Sequence, residues 1–293
     1  MARARAIVKR RKAVRNIRKI TRTMQLIATA RFQQAHKRVL AGRPYVTRIR
    51  RLVAQLAEGV SLDHPLLRTN PDSAPDLLLV LTSNRGLCGG YNSNILRAAI
   101  RHIDSLQAGG RQVQVHMVGR KGIQYFKFLG RPAETANVEF GDRPTYEQVT
   151  QLAERFMTQY AAGQVRSVSV AFMRFLSTGS QTPGVVQILP LERPRRVEEE
   201  AVGLRRPAER EFSPDPASIL ADLLPEAVKV SLFQGFLEAV ASEQVARMVA
   251  MKAATDAAND MIKLLSLRYN RARQTQITLE LLDIVGGANA LQS

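Results

Sequence analysis

The sequence predicts an α/β protein whose long N- and C-terminal helices pair as an antiparallel coiled coil, with an α/β domain inserted between them. Three observations carry that expectation. Apolar residues near both ends recur in alternating steps of four and three, strand-like and helix-like segments alternate through the middle, and prolines cluster in the joints between these sections.

Residues 1–60 read as the first helix. Ala13, Ile17, Ile20, Met24 and Ile27 form one apolar run, and Ala35, Val39, Gly42, Val46, Ile49, Val53, Leu56 and Val60 form a second. Ala28 and Phe32 carry the stripe between them. Spacing that averages about 3.5 residues keeps one helix face on a partner, which is the signature of a coiled-coil seam. Pro44, just after Gly42-Arg43, lacks a backbone donor and is expected to kink or end this helix. Residues 61–75, "SLDHPLLRTNPDSAP", read as a linker.

From 76 to 191 the pattern changes. Strands are expected at Leu77–Thr82, Gln112–Val118, Val165–Phe175 and Val185–Leu191, and helices at Asn94–Gln107, Lys121–Leu129 and Thr145–Ala161. Such alternation predicts a small sheet with helices on its faces. Residues 192–216, including "ERPRRVEEE", read as a charged loop. The section 217–290 is assigned to the second long helix, with its continuous part from about Glu226 to Gly286 after a turn at Pro216–Leu224. Its seam runs through Ala241, Val245 and Met248, then Ala258, Ile262, Leu265, Tyr269, Ala272, Gln276 and Leu279, and Gly286-Gly287 is expected to stop it.

Composition narrows the function. The net charge is +18, and residues 1–60 hold 17 Lys and Arg against the single acid Glu58, whereas the last 68 residues balance seven basic against seven acidic side chains. A transit peptide, a nucleic-acid arm or a basic helix docked on an acidic partner would each show this bias. A cleaved peptide needs no long seam, and a base-stacking surface needs aromatics, of which residues 1–60 contain only Phe32 and Tyr45. The lone Cys88 excludes an internal disulfide and a cysteine-based zinc site. The four histidines, His36, His64, His102 and His116, fall in no metal-ligand spacing. Asp256 and Asp260 share a helix face, and they read as solvated. No apolar run approaches the roughly 18 residues of a membrane span. No cofactor is expected.

The segment "LTSNRGLCGGYNSN", Leu81–Asn94, places a glycine turn between strand and helix, where backbone amides can cradle phosphate. A phosphate loop also needs G-x-x-x-x-G-K-[ST], and here Gly86, Gly89 and Gly90 are followed by Tyr91 and Asn92. The turn therefore reads as structural, with Asn92 or Ser93 capping the helix. A thiol at Cys88 has no histidine partner in the sequence and reads the same way.

Three stretches resemble the gamma subunit of F-type (F1Fo) ATP synthases. They are "NIRKITRTMQLIATARFQQA" (16–35), "TSNRGLCGGYNSN" (82–94) and "ASEQVARMVAMKAATDAANDMIKLLSLRYNRARQTQITLELLDIVGGANAL" (241–291). In order, they span essentially the whole chain. The resemblance implies a Rossmann-like inserted domain and a central rotor shaft that couples c-ring rotation to ATP synthesis in the alpha/beta hexamer. It implies a non-catalytic subunit with alpha, beta and epsilon subunits and the membrane c-ring as partners, no nucleic acid, and a peripheral place on the cytoplasmic side of the cell (inner) membrane. Arg273, Gln274 and Thr278 match residues meeting the beta-subunit loops, and Met24 matches a methionine near the beta lever. Glu243 and Arg247 match a charged pair, read here as an i,i+4 contact of roughly 0.3–0.5 kcal/mol. Arg85, Gly86, Gly89 and Gly90 match a turn near the lower beta lobes. Two departures stand out: Phe212 and Ser213 replace the family's frequent tyrosine and glutamate, and the paired cysteines of chloroplast forms are absent, which points to a bacterial chain. The alternative reading is a basic coiled-coil protein that binds nucleic acid or serves as a structural adaptor.

Overall fold

The computed structural model describes residues 2–57, 64–191 and 216–292. The charged segment 192–215, with Phe212 and Ser213, lies outside them, as does Val60. The helices are α1 (Ala2–Ala57), α2 (Tyr91–Ala108), α3 (Arg120–Phe128), α4 (Tyr146–Ala161) and α5 (Pro216–Gln292). The strands are β1 (Asp76–Leu81), β2 (Val113–Val118), β3 (Thr135–Asn137), β4 (Ser167–Ser177) and β5 (Ser180–Leu189). Two compact units result, Arg31–Ala246 and Met1–Ala30 with Arg247–Ser293.

In the first unit the strands order β3-β2-β1-β4-β5, with β1 parallel to both β2 and β4, β3 parallel to β2, and β4-β5 an antiparallel hairpin. The run Asp-Leu-Leu-Leu-Val-Leu of β1 is buried throughout, as a central parallel strand covered on both faces must be. Side chains alternate across the sheet. Leu77, Leu79 and Leu81 join Val149, Leu152 and Phe156 of α4, together with residues of α1 and α5. Leu78 and Val80 join Ile95, Leu96 and Ala99 of α2 and Phe126 of α3. Each buried leucine contributes about 1.5–3 kcal/mol. The three-residue β3 is too short to show a period, and the sequence gives no sign of it.

Within this unit the second α1 run is buried or half-buried from Ala35 to Leu56. At Gly42 the side chain of Gln234 from α5 comes close to α1, since a Cβ there would stand 2.7 Å from Gln234 Oε1. Pro44 neither ends nor interrupts α1. It is exposed, and buried Val39 and Ile49 on either side anchor the helix, so packing outweighs the lost backbone bond. Helix α5 likewise starts at Pro216, ten residues earlier than expected, and passes through Pro225. Leu220, Leu224 and Val228 bury its first turns. Proline suits the first helical position.

His116 packs as expected. Its Nδ1 lies 2.7 Å from the Thr135 hydroxyl, and its ring meets Phe156 edge-on at 5.4 Å. Burial lowers its pKa below 6.5, with Glu134 opposing that shift and Arg155 adding to it. The unfolded chain therefore takes the proton first as the pH falls. Stability from this site is full above about 6.5 and is lost as the pH drops through the folded value. Titrating the urea midpoint from about pH 7 to about pH 5 should show this loss. His116→Gln should flatten it, without abolishing it, because burial also lowers His64 and His102. An unchanged acid limb would remove His116 from the account.

The second unit pairs residues 2–30 of α1 with 247–292 of α5. Val14, Ala258 and Leu265 form its apolar cluster, with Ile7 and Ile262 against them. Arg11 lies over the Tyr269 ring at 5.1 Å, Arg18 donates to Asn259 Oδ1 at 3.3 Å, and the Thr21 and Thr255 hydroxyls meet at 2.8 Å. Rising numbers on α1 meet falling numbers on α5, so the pair is antiparallel. The α5 seam is where the sequence placed it, except that Leu279 is exposed. The α1 seam is not. Ile17, Ile20 and Ile27 are 52%, 59% and 48% exposed, Ala13 is exposed, and Met24 is half-buried. The inward positions are Ile7, Val14, Thr21 and Ala28, seven residues apart. A hydrophobic count passes over Thr21 and so selects the neighbouring isoleucines, rejoining the inward face only at Ala28. Gly286-Gly287 does not stop α5, which continues to Gln292. A helical glycine costs about 1 kcal/mol without enforcing an end.

Candidate functional site

The glycine turn begins where β1 ends. Thr82 donates its hydroxyl to Val118 O at 2.7 Å and receives the Gly122 amide at 3.0 Å. Ser83 donates its hydroxyl to Arg85 O at 2.7 Å, while its amide donates to Asn92 Oδ1 at 3.0 Å. Asn84 donates to Phe140 O and accepts the Arg120 amide. Asn92 is thus inside α2, bonding back to the turn. The N-cap is Gly90, with no side-chain cap, which corrects the expected Asn92 or Ser93. Gly89 has φ +55, and Leu87 holds φ +64 while 62% exposed. Cys88 is buried, with the Asn92 amide nitrogen 3.3 Å from its sulfur.

This local economy explains the residue types. Short polar side chains at Thr82, Ser83, Asn84 and Asn92 satisfy the backbone where the strand turns into the helix. Gly86 carries the Lys121 side chain above it, 3.5 Å from where a Cβ would stand. Arg85 pairs with Asp142 of the loop before α4, and Arg31 of α1 pairs with the same carboxylate. Tyr91 donates its hydroxyl to Ala239 O of α5 at 3.1 Å. The turn therefore fastens the sheet to α1 and α5. Asp142 escaped the sequence reading because a pairing across more than fifty residues leaves no local pattern.

The remaining predicted residues separate into two groups. Arg273, Gln274 and Thr278 are exposed on α5, and the Thr278 hydroxyl donates to Gln274 O at 3.0 Å. Arg273 and Gln274 are left as the outward hydrogen-bonding groups. Glu243 and Arg247 are buried instead, at 9% and 6% exposure, so the small surface value for an i,i+4 pair does not describe them. Asp256 and Asp260 are exposed. Among the described residues no group of three or more His, Cys, Asp or Glu is placed to hold a metal, and no helix is long and apolar enough to cross a membrane.

These features define a helix-paired α/β protein whose inserted sheet packs on its long helices, with the glycine turn as one of the ties. A family model described as ATP synthase matches residues 3–291. An ATP synthase gamma chain from Rhodopirellula baltica is 45% identical over 100% of both chains, and one from Leptospira biflexa is 41% identical over 99% of this chain and 100% of its own. The chain belongs to the ATP synthase gamma chain family. A chain in the Euglena gracilis mitochondrial ATP synthase structure of OSCP, F1 and c-ring superposes with a TM-score of 0.68, at 19% identity, over 99% of this chain and 95% of that one. At that identity the likeness shows the fold. None of these relatives supports a nucleic-acid-binding or adaptor protein.

Proposed function

We propose that this chain is the central rotor shaft of an ATP synthase, coupling c-ring rotation to ATP synthesis, and hydrolysis to pumping, in the alpha/beta hexamer. The carrying observation is the match to gamma chains over the full length, both paired helices included. A shaft transmits torque through a stiff helix pair and has no need of its own nucleotide site, so the chain is read as a non-catalytic subunit. Its partners are the alpha and beta subunits, epsilon and the c-ring, and it sits peripherally on the cytoplasmic side of the cell membrane.

Arg273 and Gln274, both exposed on α5, are assigned in this reading to the contact with beta-subunit loops, where a guanidinium forms charge-assisted bonds with carboxylates. Thr278 and Met24 belong to the same contact set, Met24 as an adaptable apolar surface. Arg85, Gly86, Gly89 and Gly90 form the structural turn near the beta lobes.

Two measurements test the reading. Purification from native membranes should bring down alpha, beta and epsilon subunits, and the isolated chain should release no phosphate from ATP above a heat-treated control. In a reconstituted complex, Arg273→Ala with Gln274→Ala should leave assembly intact and lower turnover by about tenfold, the effect of losing a single charge-assisted bond. Recovery with nucleic acid and without those subunits would sink the shaft reading, and unchanged turnover would remove these two residues from the contact.

A further inference from the structure

Between α1 and the loop leading into α4 lies an open cleft of about 470 Å³. Arg31, Arg38 and Arg143 line it, with Glu139 and Asp142 as its acids. Asp142 is claimed twice, by Arg31 and by Arg85. Arg143 is held by the side-chain oxygen of Gln34, a neutral partner. Three guanidiniums therefore share the cleft with two carboxylates, Arg31 is engaged by Asp142, and among the described residues Arg38 and Arg143 have no carboxylate partner. At the N-terminus of α4, Thr145 and Gln148 form a capping box that occupies each other's backbone amides.

We propose that this cleft binds a multiply charged oxyanion of the phosphate class. A guanidinium offers a planar fork of donors that matches two oxygens of one phosphate, and several such forks around one space favour a dianion over chloride. Leu237 and Val240 form an apolar part of the wall, which strengthens the attraction by excluding water on that side. The volume exceeds what one phosphate fills and falls in the range of small-ligand sites, so pyrophosphate or the phosphate end of a nucleotide also fits. Glu139 opposes binding from the rim. This inference concerns residues that the shaft reading leaves unused and does not rest on it.

The full chain, titrated by calorimetry with inorganic phosphate, pyrophosphate and ADP in separate arms, tests the proposal. Chloride salt at about 0.15 M screens diffuse attraction to the basic chain. One saturable site per chain is expected in at least one arm. Arg38→Gln and Arg143→Gln, both at exposed positions, should each weaken it at least tenfold, whereas Glu139→Gln should tighten it several-fold. Lys12→Gln, an equal loss of charge on exposed α1 surface, should leave it unchanged. The arm that binds tightest names the source, free phosphate or nucleotide. No saturation in any arm, saturation that survives both arginine changes, or equal weakening by Lys12→Gln would overturn the proposal.

Discussion

Leu265→Asp should unfold the pairing of residues 2–30 with 247–292 while leaving the sheet unit folded. Leu265 is 5% exposed within a small apolar cluster of Val14, Ala258, Ile7 and Ile262. A carboxylate there loses its hydration and gains no cationic partner within the cluster, a change on the order of 3–5 kcal/mol. A cluster this small has little reserve. Far-UV circular dichroism should show an early loss of helix on heating, followed by a later transition from the sheet unit. Leu265→Asn, similar in shape and uncharged, should cost less. In a reconstituted complex, Leu265→Asp should reduce assembly or leave hydrolysis poorly coupled to pumping. If melting, assembly and pumping all matched the unmodified protein, Leu265 would not be in a buried seam.

Gly119→Ala should be the most damaging small change in the sheet unit. Gly119 sits at φ +96, ψ 137 between β2 and α3, and an added Cβ would fall 2.2 Å from Thr82 O and 2.8 Å from Thr82 Oγ1. The first of these is backbone and cannot swing aside. Relief would have to come from the end of β1, where Thr82 bonds Val118 O with both its amide and its hydroxyl. A cost of at least about 3 kcal/mol is expected, from steric strain added to an unfavourable backbone conformation. Gly130→Ala is the control. It has φ +69 with nothing within 4 Å of the new Cβ, so only the left-handed conformation is penalised, by about 1 kcal/mol. Urea midpoints for the two variants decide the matter. Equal midpoints would mean that the approach of Gly119 to Thr82 is not tight.

The central elements were legible because their patterns are local and strong. The β1 run and the α4 start at Thr145 announce themselves within a few residues, and the α5 seam from Ala258 to Gln276 repeats over several turns. Before Ala28 the α1 seam was misplaced by one position because its inward face uses Thr21 at a level where a count expects a large apolar group. Size alone then favours Ile17, Ile20 and Ile27, which face outward. Pro44, the turn expected at Pro216–Leu224 and Gly286-Gly287 were overvalued as breakers, since propensity describes an isolated helix and packing overrides it. In the candidate site, the turn itself was readable from its glycines, but what it fastens to was not. Asp142 and Ala239 are remote in sequence, and no spacing rule links them to Arg85 or Tyr91.

The threonine level of the seam behaves differently from the apolar levels beside it. Thr21 has Arg18 O at 3.1 Å, Thr255 has Met251 O at 2.8 Å, and the two hydroxyls are 2.8 Å apart. Two hydroxyl hydrogens cannot make three bonds. When the hydroxyls are bonded across the helices, one carbonyl goes without; when they part, both carbonyls are served. Separation at this level therefore leaves no polar group unsatisfied, whereas separation around Leu265 exposes an apolar cluster to water. Under a twisting load the pair should yield first at Thr21–Thr255 and recover when the load is released, giving the helix pair a point of torsional compliance beside a stiffer segment.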